Sequence, residues 1–370
     1  MRRPRISAHR PDLVLLVAAL VLVVFGVIMV YDASVVAATR DFGDKFHFVK
    51  DHLTWVVIGL VGMGVTSIIP YHLYRRLALP IALATLLALL LVFLPGIGIK
   101  AYGANRWLNL GLTSFQPSEV AKLALVIFMA AWLEHKDDLK SFVHGFLPLL
   151  VILGVLGGLL IAEPDMGTFL IIALVALGVY FAAGARIIFY IIGIPGALAA
   201  FLVIALSSAY RKARLLTFLD PTSDTQGTSY HINQILLSLG SGGLFGTGIG
   251  QSRGKFEYIP EVSTDSIFAV IGEELGYAGS VVLIAFYGFF LYRAFKIAQN
   301  APDRFGELLA LGITLIIAVQ TALNLAAIVA LAPLTGVPLP LISYGGSNLV
   351  MTMVGIGILL NISASRRDSR

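Results

Sequence analysis

About ten stretches of this chain are long and apolar enough to cross a bilayer, and lipid leaves few ways to build such a chain. About 30 Å of hydrocarbon takes about 20 mostly apolar residues in a helix. The first five stretches run near Leu13 to Tyr31, Leu53 to Ile69, Leu77 to Leu94, Pro117 to Leu133 and Phe146 to Ala162. Five more follow near Gly167 to Ala183, Ile187 to Ser207, Ser266 to Tyr292, Glu307 to Leu331 and Gly345 to Ile362. Unbroken runs such as Leu77 to Leu94 lack the apolar-polar alternation of barrel strands, so helices must satisfy the backbone. With 58% hydrophobic and 13% charged residues, a soluble fold is excluded. The expected fold is all-α and polytopic.

Basic residues orient it. Arg2, Arg3, Arg5 and Arg10 precede the first span without a small-residue cleavage site, so an uncleaved start is expected. These arginines, Arg75 and Arg76, Lys136 and Lys140, Arg186, Arg293 with Lys296 and Arg304, and Arg366, Arg367 and Arg370 all fall on one side. The positive-inside rule makes that side cytoplasmic, along with both termini. The basic balance then needs no nucleic acid to explain it. The chain has no cysteine, so disulfides and thiol chemistry are ruled out.

The opposite face receives Asp32 to His52, Pro95 to Gln116, the turn from Glu163 to Gly167, and the connection from Ser208 to Asp265. That last loop, between the seventh and eighth spans, far exceeds the usual 12 to 15 residues, and such loops tend to be functional. Gln116-Pro117-Ser118-Glu119 reads as a helix start, with proline at the first position and an acid in the first turn. Lys122 lies a turn deeper, at a cost of up to about 2.5 to 3.5 kcal/mol at mid-membrane. Glu119 and Lys122 share a face, which leaves two readings: a structural ion pair, or anion handling with Arg106.

Asp165 reads as an N-cap. Gly240, Gly242, Gly243, Gly246, Gly248 and Gly250 lack a P-loop ending and are expected to let backbone approach a bulky partner. Asp265 heads the eighth span as that loop returns to the membrane. By helical rotation Glu273 lies within reach of the same cavity, whereas Glu274 points at another helix. Gln320 and Asn324, four apart, are expected to bond neighbouring helices. The Pro- and Gly-rich stretch from Gly336 to Ser347 reads as a shaped rim. A cation pair suits a diphosphate, and a carboxylate beside it suits a general base acting on a hydroxyl.

The motifs Gly103-Ala104-Asn105-Arg106-Trp107, Phe115 through Lys122, Glu163-Pro164-Asp165-Met166-Gly167-Thr168, Phe218-Leu219-Asp220-Pro221, Thr264-Asp265, Gly272-Glu273-Glu274-Leu275-Gly276 and Ile342-Ser343-Tyr344-Gly345-Gly346-Ser347 together resemble the SEDS family, of which FtsW and RodA are the familiar types. The likeness covers nearly the whole chain. It implies one transmembrane domain over 1–370, with a basic cytoplasmic segment 1–12, a large extracytoplasmic loop 208–265 and a cytoplasmic tail 363–370. It also implies a peptidoglycan glycosyltransferase in the bacterial cytoplasmic membrane that polymerises lipid II into glycan strands. Septal synthesis in cell division is expected, because the run from Gly248 to Arg253 with Lys255 and Tyr258 is closer to the FtsW type.

By this resemblance Asp265 is the catalytic acid residue, and Arg106 and Lys122 take the pyrophosphate. Glu119 and Glu273 orient the cations or hold a divalent ion such as Mg or Mn, and Asp165 and Ser343 complete the substrate-binding set. Expected partners are lipid II, nascent glycan, a class B penicillin-binding transpeptidase and other cell-division proteins. The chain departs from the family at Ser263, where His is usual, at Ser266, where Phe is usual, and at Asn348, where a second Ser is common. The rival readings are a lipid II flippase and an elongation-type polymerase.

Overall fold

The computed structural model describes residues 10–365 apart from 102–103, 110, 112–113, 137, 257–258 and most of 192–228. Most of the seventh expected span, most of the first part of the 208–265 loop, Asp220 and the arginines beyond both ends lie outside the described residues. Helix α1 (Leu13–Phe42) shows the physical logic of the whole. Leu15, Ala18, Leu22, Gly26, Met29 and Ala33 are buried on one stripe, while Leu13, Val17, Val21, Val24 and Ile28 are exposed on another. Both stripes recur every three to four residues and both are apolar, the pattern of a helix with protein on one side and lipid on the other. Asp12 caps the start by accepting from the Leu15 N–H at 3.0 Å, and Gly43 ends it at φ 66.

Helices α2 (His47–Ile68) and α3 (His72–Leu91) follow. Strands β1 (Gly98–Ala101), β2 (Ala104–Asn109) and β3 (Ser114–Phe115) lead into α4 (Pro117–Leu133). A π-helical turn, Phe142–Phe146, opens α5 (Leu147–Ala162), which is followed by α6 (Met166–Ala182). Then come the short α7 (Tyr230–Ser241), α8 (Ile267–Gln299), α9 (Arg304–Ile328) and α10 (Gly346–Ala364). Among the described residues seven helices are long and apolar enough to cross a membrane: α1, α2, α3, α5 with its π turn, α8, α9 and α10. The protein is thus a mostly helical, multi-pass membrane protein. Helices α4 and α6 have 17 residues each, under the roughly 20 of a full span. Helices α9 and α10 are the most enclosed of the seven and α3 the least.

Two expectations need correction. The fold is not purely helical, because segment 95–116 forms a three-stranded antiparallel sheet in the order β1-β2-β3, with Gly98 opposite Leu108 and Leu108 opposite Phe115. Pairing gives backbone groups partners beside apolar surface where water is scarce. The sheet delivers the chain to Gln116, the N-cap of α4, and β2 carries Arg106.

The second correction concerns α8, which is not continuous: Gly276 stands at φ 67, ψ −169 and breaks it. The glycine-rich loop fills the break. Thr247 and Gly248 donate to the freed carbonyls of Glu273 and Glu274 at 2.9 and 3.1 Å, and Gly243 and Leu244 accept from Tyr277 and Ala278 at 2.9 and 3.0 Å. A Cβ on Gly246 would run into the Glu274 carbonyl. The bulky partner of the glycines is therefore the protein's own split helix.

Gly246→Ala adds a Cβ at φ 82 against this backbone. A loss of at least about 1 kcal/mol is expected, read as a lower thermal midpoint of the purified protein; an unchanged midpoint contradicts the fit.

Candidate active site

The head of α4 buries an ion pair. Glu119 and Lys122 are 5% and 4% exposed, with Lys122 Nζ 2.8 Å from Glu119 Oε2. The ammonium also donates to Gln320 Oε1 of α9 at 2.7 Å, and Asn348 Nδ2 of α10 donates to Glu119 Oε2 at 2.7 Å. Two of the three ammonium donors are thus used, and three helices meet at one charge pair. Desolvating an ion costs several kcal/mol, so close pairing is the condition for a lysine at this depth. Asn348, where the family usually has serine, supplies a longer donor to the glutamate.

Arg106 meets the same structure from the sheet. Its Nε donates to the Glu163 carbonyl at 3.0 Å, and Nη2 donates to the Pro164 carbonyl. The guanidinium therefore braces the turn that carries Asp165. Asp165 caps α6, accepting from the Thr168 N–H at 3.2 Å, and its other oxygen accepts from the Ser118 hydroxyl at 3.0 Å and from Gln116 Nε2 at 3.3 Å. The N-cap reading holds, with the addition that the same carboxylate fastens α6 to the head of α4. Between Arg106 and Asp165 sits Glu163, fully buried, with neither carboxylate oxygen hydrogen bonded. Burial first, then the negative Asp165, push its acid up to about 8, against the pull of Arg106.

Asp265 immediately precedes Ser266, the N-cap of α8, and is half-buried. Asn324 Nδ2 donates to its carbonyl at 2.8 Å and to that of Val337, also at 2.8 Å. Gln320, one turn back on α9, donates to the Pro338 carbonyl at 2.9 Å while its oxygen holds Lys122. Helix α9 thus ties the Asp265 backbone, the 337–338 rim and the buried lysine into one frame. The Asp265 carboxylate lies beside Gly336, where a Cβ would stand 3.8 Å from Oδ2. Ser343 closes the rim by accepting from the Leu339 N–H at 2.8 Å, and the neighbouring Tyr344 N–H donates to the Ser263 carbonyl at 2.9 Å. Glu261 and Leu341, at φ 50 and φ 65, take the left-handed conformation on either side of this contact. Strain of this kind persists where surrounding structure over-determines the backbone.

Sequence reasoning missed His231. From the first turn of α7 its Nε2 lies 2.9 Å from Ser266 Oγ. An imidazole thus stands next to the residue after Asp265, although the usual histidine at 263 is serine. The available signal was the pair of departures itself, Ser263 and Ser266.

Glu273 has a different setting from the one expected. Its carboxylate accepts from the Ser238 and Ser252 hydroxyls at 2.5 and 2.6 Å and from the Arg253 and Gly254 N–H groups at 2.8 and 3.3 Å. It braces the 252–254 loop against α7. Glu274 does face another helix: Lys255 Nζ lies 3.3 Å from it and 2.9 Å from Asp32 of α1. Asp32, expected in an exterior segment, lies inside α1 because that helix runs on to Phe42.

The structure thus gathers Arg106, Asp165, Glu119 and Lys122 around the head of α4. Asp265 and Ser343 join through Gln320, Asn324 and the rim, and Glu273 stands apart. A small cleft lined by Glu119 and Lys122 opens among Ile313, Ile317 and Met351, and Asp265 does not line it. Asp265 and Lys122 are joined by hydrogen-bonded side chains, not by that cleft.

A helical membrane protein with an acid, an arginine and a lysine framed at one end is the class these features define. The chain belongs to the FtsW/RodA/SpoVE family of cell cycle proteins, whose pattern matches residues 12–368. It is 42% identical over 360 residues to "Probable peptidoglycan glycosyltransferase FtsW" of Geobacter sp. (strain M18), covering 97% of this chain and 98% of that one. It is 39% identical to stage V sporulation protein E of Bacillus subtilis (strain 168), covering 96% and 98%. A solved structure described as "Structural coordination of polymerization and crosslinking by a peptidoglycan synthase complex" superposes with a TM-score of 0.78 at 26% identity, covering 97% and 99%. The rod shape determining protein RodA of Thermus thermophilus gives 0.71 at 27%, covering 97% and 98%.

Lys122→Met strands the buried Glu119 and is expected to cost about 3–5 kcal/mol, much of it recovered in Lys122→Met with Glu119→Gln; additive losses in thermal or denaturant unfolding contradict the pairing. Glu163, with its acid raised to about 8, adds stability at low pH that is lost as pH climbs from the ordinary carboxylate range through about 8. The thermal midpoint of native protein should fall over that window and Glu163→Gln should flatten the fall; an equal slope in both contradicts the assignment.

Proposed function

We infer that the protein is a peptidoglycan glycosyltransferase that polymerises lipid II, working in septal wall synthesis during cell division. The family, the FtsW-named relatives at 42–43% identity and the framed acid support this reading. The observation that carries it is the frame itself: an acid at the head of α8 whose backbone carbonyl is held by Asn324, on the same helix face whose Gln320 holds Lys122. Asp265 takes the proton from the 4-hydroxyl of the acceptor's N-acetylglucosamine. That oxygen attacks the donor's anomeric carbon, the C1–O bond to undecaprenyl pyrophosphate breaks, and the configuration inverts. Arg106 and Lys122 receive the diphosphate, with Glu119 holding Lys122, Asp165 fixing the turn that Arg106 braces, and Ser343 on the rim beside the substrate. Arg106 does so by exchanging a backbone carbonyl for a phosphate oxygen.

Among the described residues no three His, Cys, Asp or Glu side chains come together as a metal site, and Glu273 spends its carboxylate on four protein donors. The residues do not by themselves fit a resident Mg or Mn, and no step here runs through one. The proposed topology has about ten spans in a single domain over 1–370, with both termini cytoplasmic and the 208–265 loop outside. In support, the links of Arg75 to Glu134, His72 to Asp303 and Arg304 to the Ala182 carbonyl lie at the helix ends opposite Asp265. A class B penicillin-binding transpeptidase is the proposed partner, with other division proteins. A carrier would use a broken helix for its cargo, but the break in α8 is filled by the protein's own glycine loop.

Purified protein with its cognate transpeptidase, given labelled lipid II, should make glycan polymer, and Asp265→Asn should lower the rate by about 10²–10⁴. Equal rates overturn the role of Asp265. Lipid II translocation in proteoliposomes without any polymer overturns the enzyme.

A further inference from the structure

The end of the bundle opposite Asp265 carries a second charged site that the glycosyl transfer does not use. Arg293 lies 17 residues beyond the break at Gly276, about 25 Å along the second half of α8 at about 1.5 Å per residue and near its far end. There the start of α1 and the ends of α8 and α10 border a cleft of about 740 Å³. Arg10, Arg293 and Lys296 line it, against one acid, Asp12. That acid is already committed: one oxygen caps α1 by accepting from the Leu15 N–H, and the other takes Arg293 Nη2 at 2.6 Å. The Asp12 N–H in turn donates to Ser363 of α10 at 3.0 Å, so the floor of the cleft is fixed.

Among the described residues the cations outnumber the acids that neutralise them. Arg10 and Lys296 are exposed, and Lys296 Nζ lies over the Tyr292 ring at 5.6 Å, a contact that leaves its charge unneutralised. Arg293 Nε is buried with no acceptor, and a buried donor left unmade costs about 1–3 kcal/mol. The remaining wall is greasy and open to the lipid side. Leu13, Val14 and Tyr292 line it and are 56%, 46% and 56% exposed. A soluble anion has no use for that wall. An amphiphile with a phosphate head and acyl chains uses both halves.

We propose that this cleft is a binding site for an anionic phospholipid, its phosphate held by Arg10, Arg293 and Lys296 and its chains laid along Leu13, Val14 and Tyr292. The lipid ties the entry of α1 to the exits of α8 and α10. Each interfacial Lys or Arg contributes to such binding, and apolar contact retains the chains.

The test uses the full chain purified in detergent, with lipid retention read by native mass spectrometry. Phosphatidylglycerol should stay bound where phosphatidylcholine leaves, and millimolar inorganic phosphate should not displace it. Arg10→Gln with Lys296→Gln should lower phosphatidylglycerol retention about tenfold or more, while Arg293 stays in place to hold the α1 cap. Each single variant should give part of that loss, so an unstable double variant leaves the test intact. Equal retention of the two lipids, or unchanged retention in the variants, overturns the site. Displacement by inorganic phosphate overturns the lipid and assigns a soluble anion instead.

Discussion

One buried lysine organises the site. Lys122 cannot sit at its depth without Glu119, and the pair in turn recruits Gln320 from α9 and Asn348 from α10. Charge in a low-dielectric setting is strong when matched and costly when not, so this contact fixes how three helices meet. The 337–338 rim inherits that geometry: Gln320 also grips the Pro338 carbonyl, and Asn324, a turn away, grips the carbonyls of Val337 and Asp265. The hold on Asp265 runs through its backbone carbonyl, while its carboxylate accepts from the Thr264 hydroxyl at 3.3 Å and lies beside Gly336.

A second device fixes where α8 begins. Splitting a membrane helix exposes carbonyls and N–H groups that lipid cannot satisfy, so the break at Gly276 requires a donor and acceptor set from elsewhere. The glycine-rich loop supplies it by bringing backbone to backbone, and Glu273 and Glu274 anchor the loop's far side through Ser252, Arg253 and Lys255. The nine residues ahead of the break, from Ile267 to Leu275, are thus a separately braced half-helix with Asp265 at its head. His231 reaches the same point from α7.

What could be read from sequence was local. The helical membrane character, Asp165 as an N-cap, Glu119 one turn from Lys122, Glu274 turned toward another helix and Asp265 at a helix head all follow from spacings of a few residues. The strands of 98–115 were hidden because their alternation is too short to register against apolar neighbours. The break at Gly276 and the true partner of the glycine loop depend on an approach between segments some thirty residues apart. Lys255 with Asp32 joins positions 223 apart, and no periodicity reports such a pair. Glu273 was placed near Asp265 by helical rotation alone, which could not foresee the loop wrapped around its carboxylate.

The claim that the α9 frame serves Asp265 is tested most directly by a double-mutant cycle on the rate of lipid II polymerisation, combining Asn324→Ala with Asp265→Asn. The account predicts that Asn324→Ala slows the native enzyme and adds little once Asp265 is replaced. The same fold-loss from Asn324→Ala in both backgrounds would contradict it, leaving Asn324 as a structural residue with no part in holding the acid.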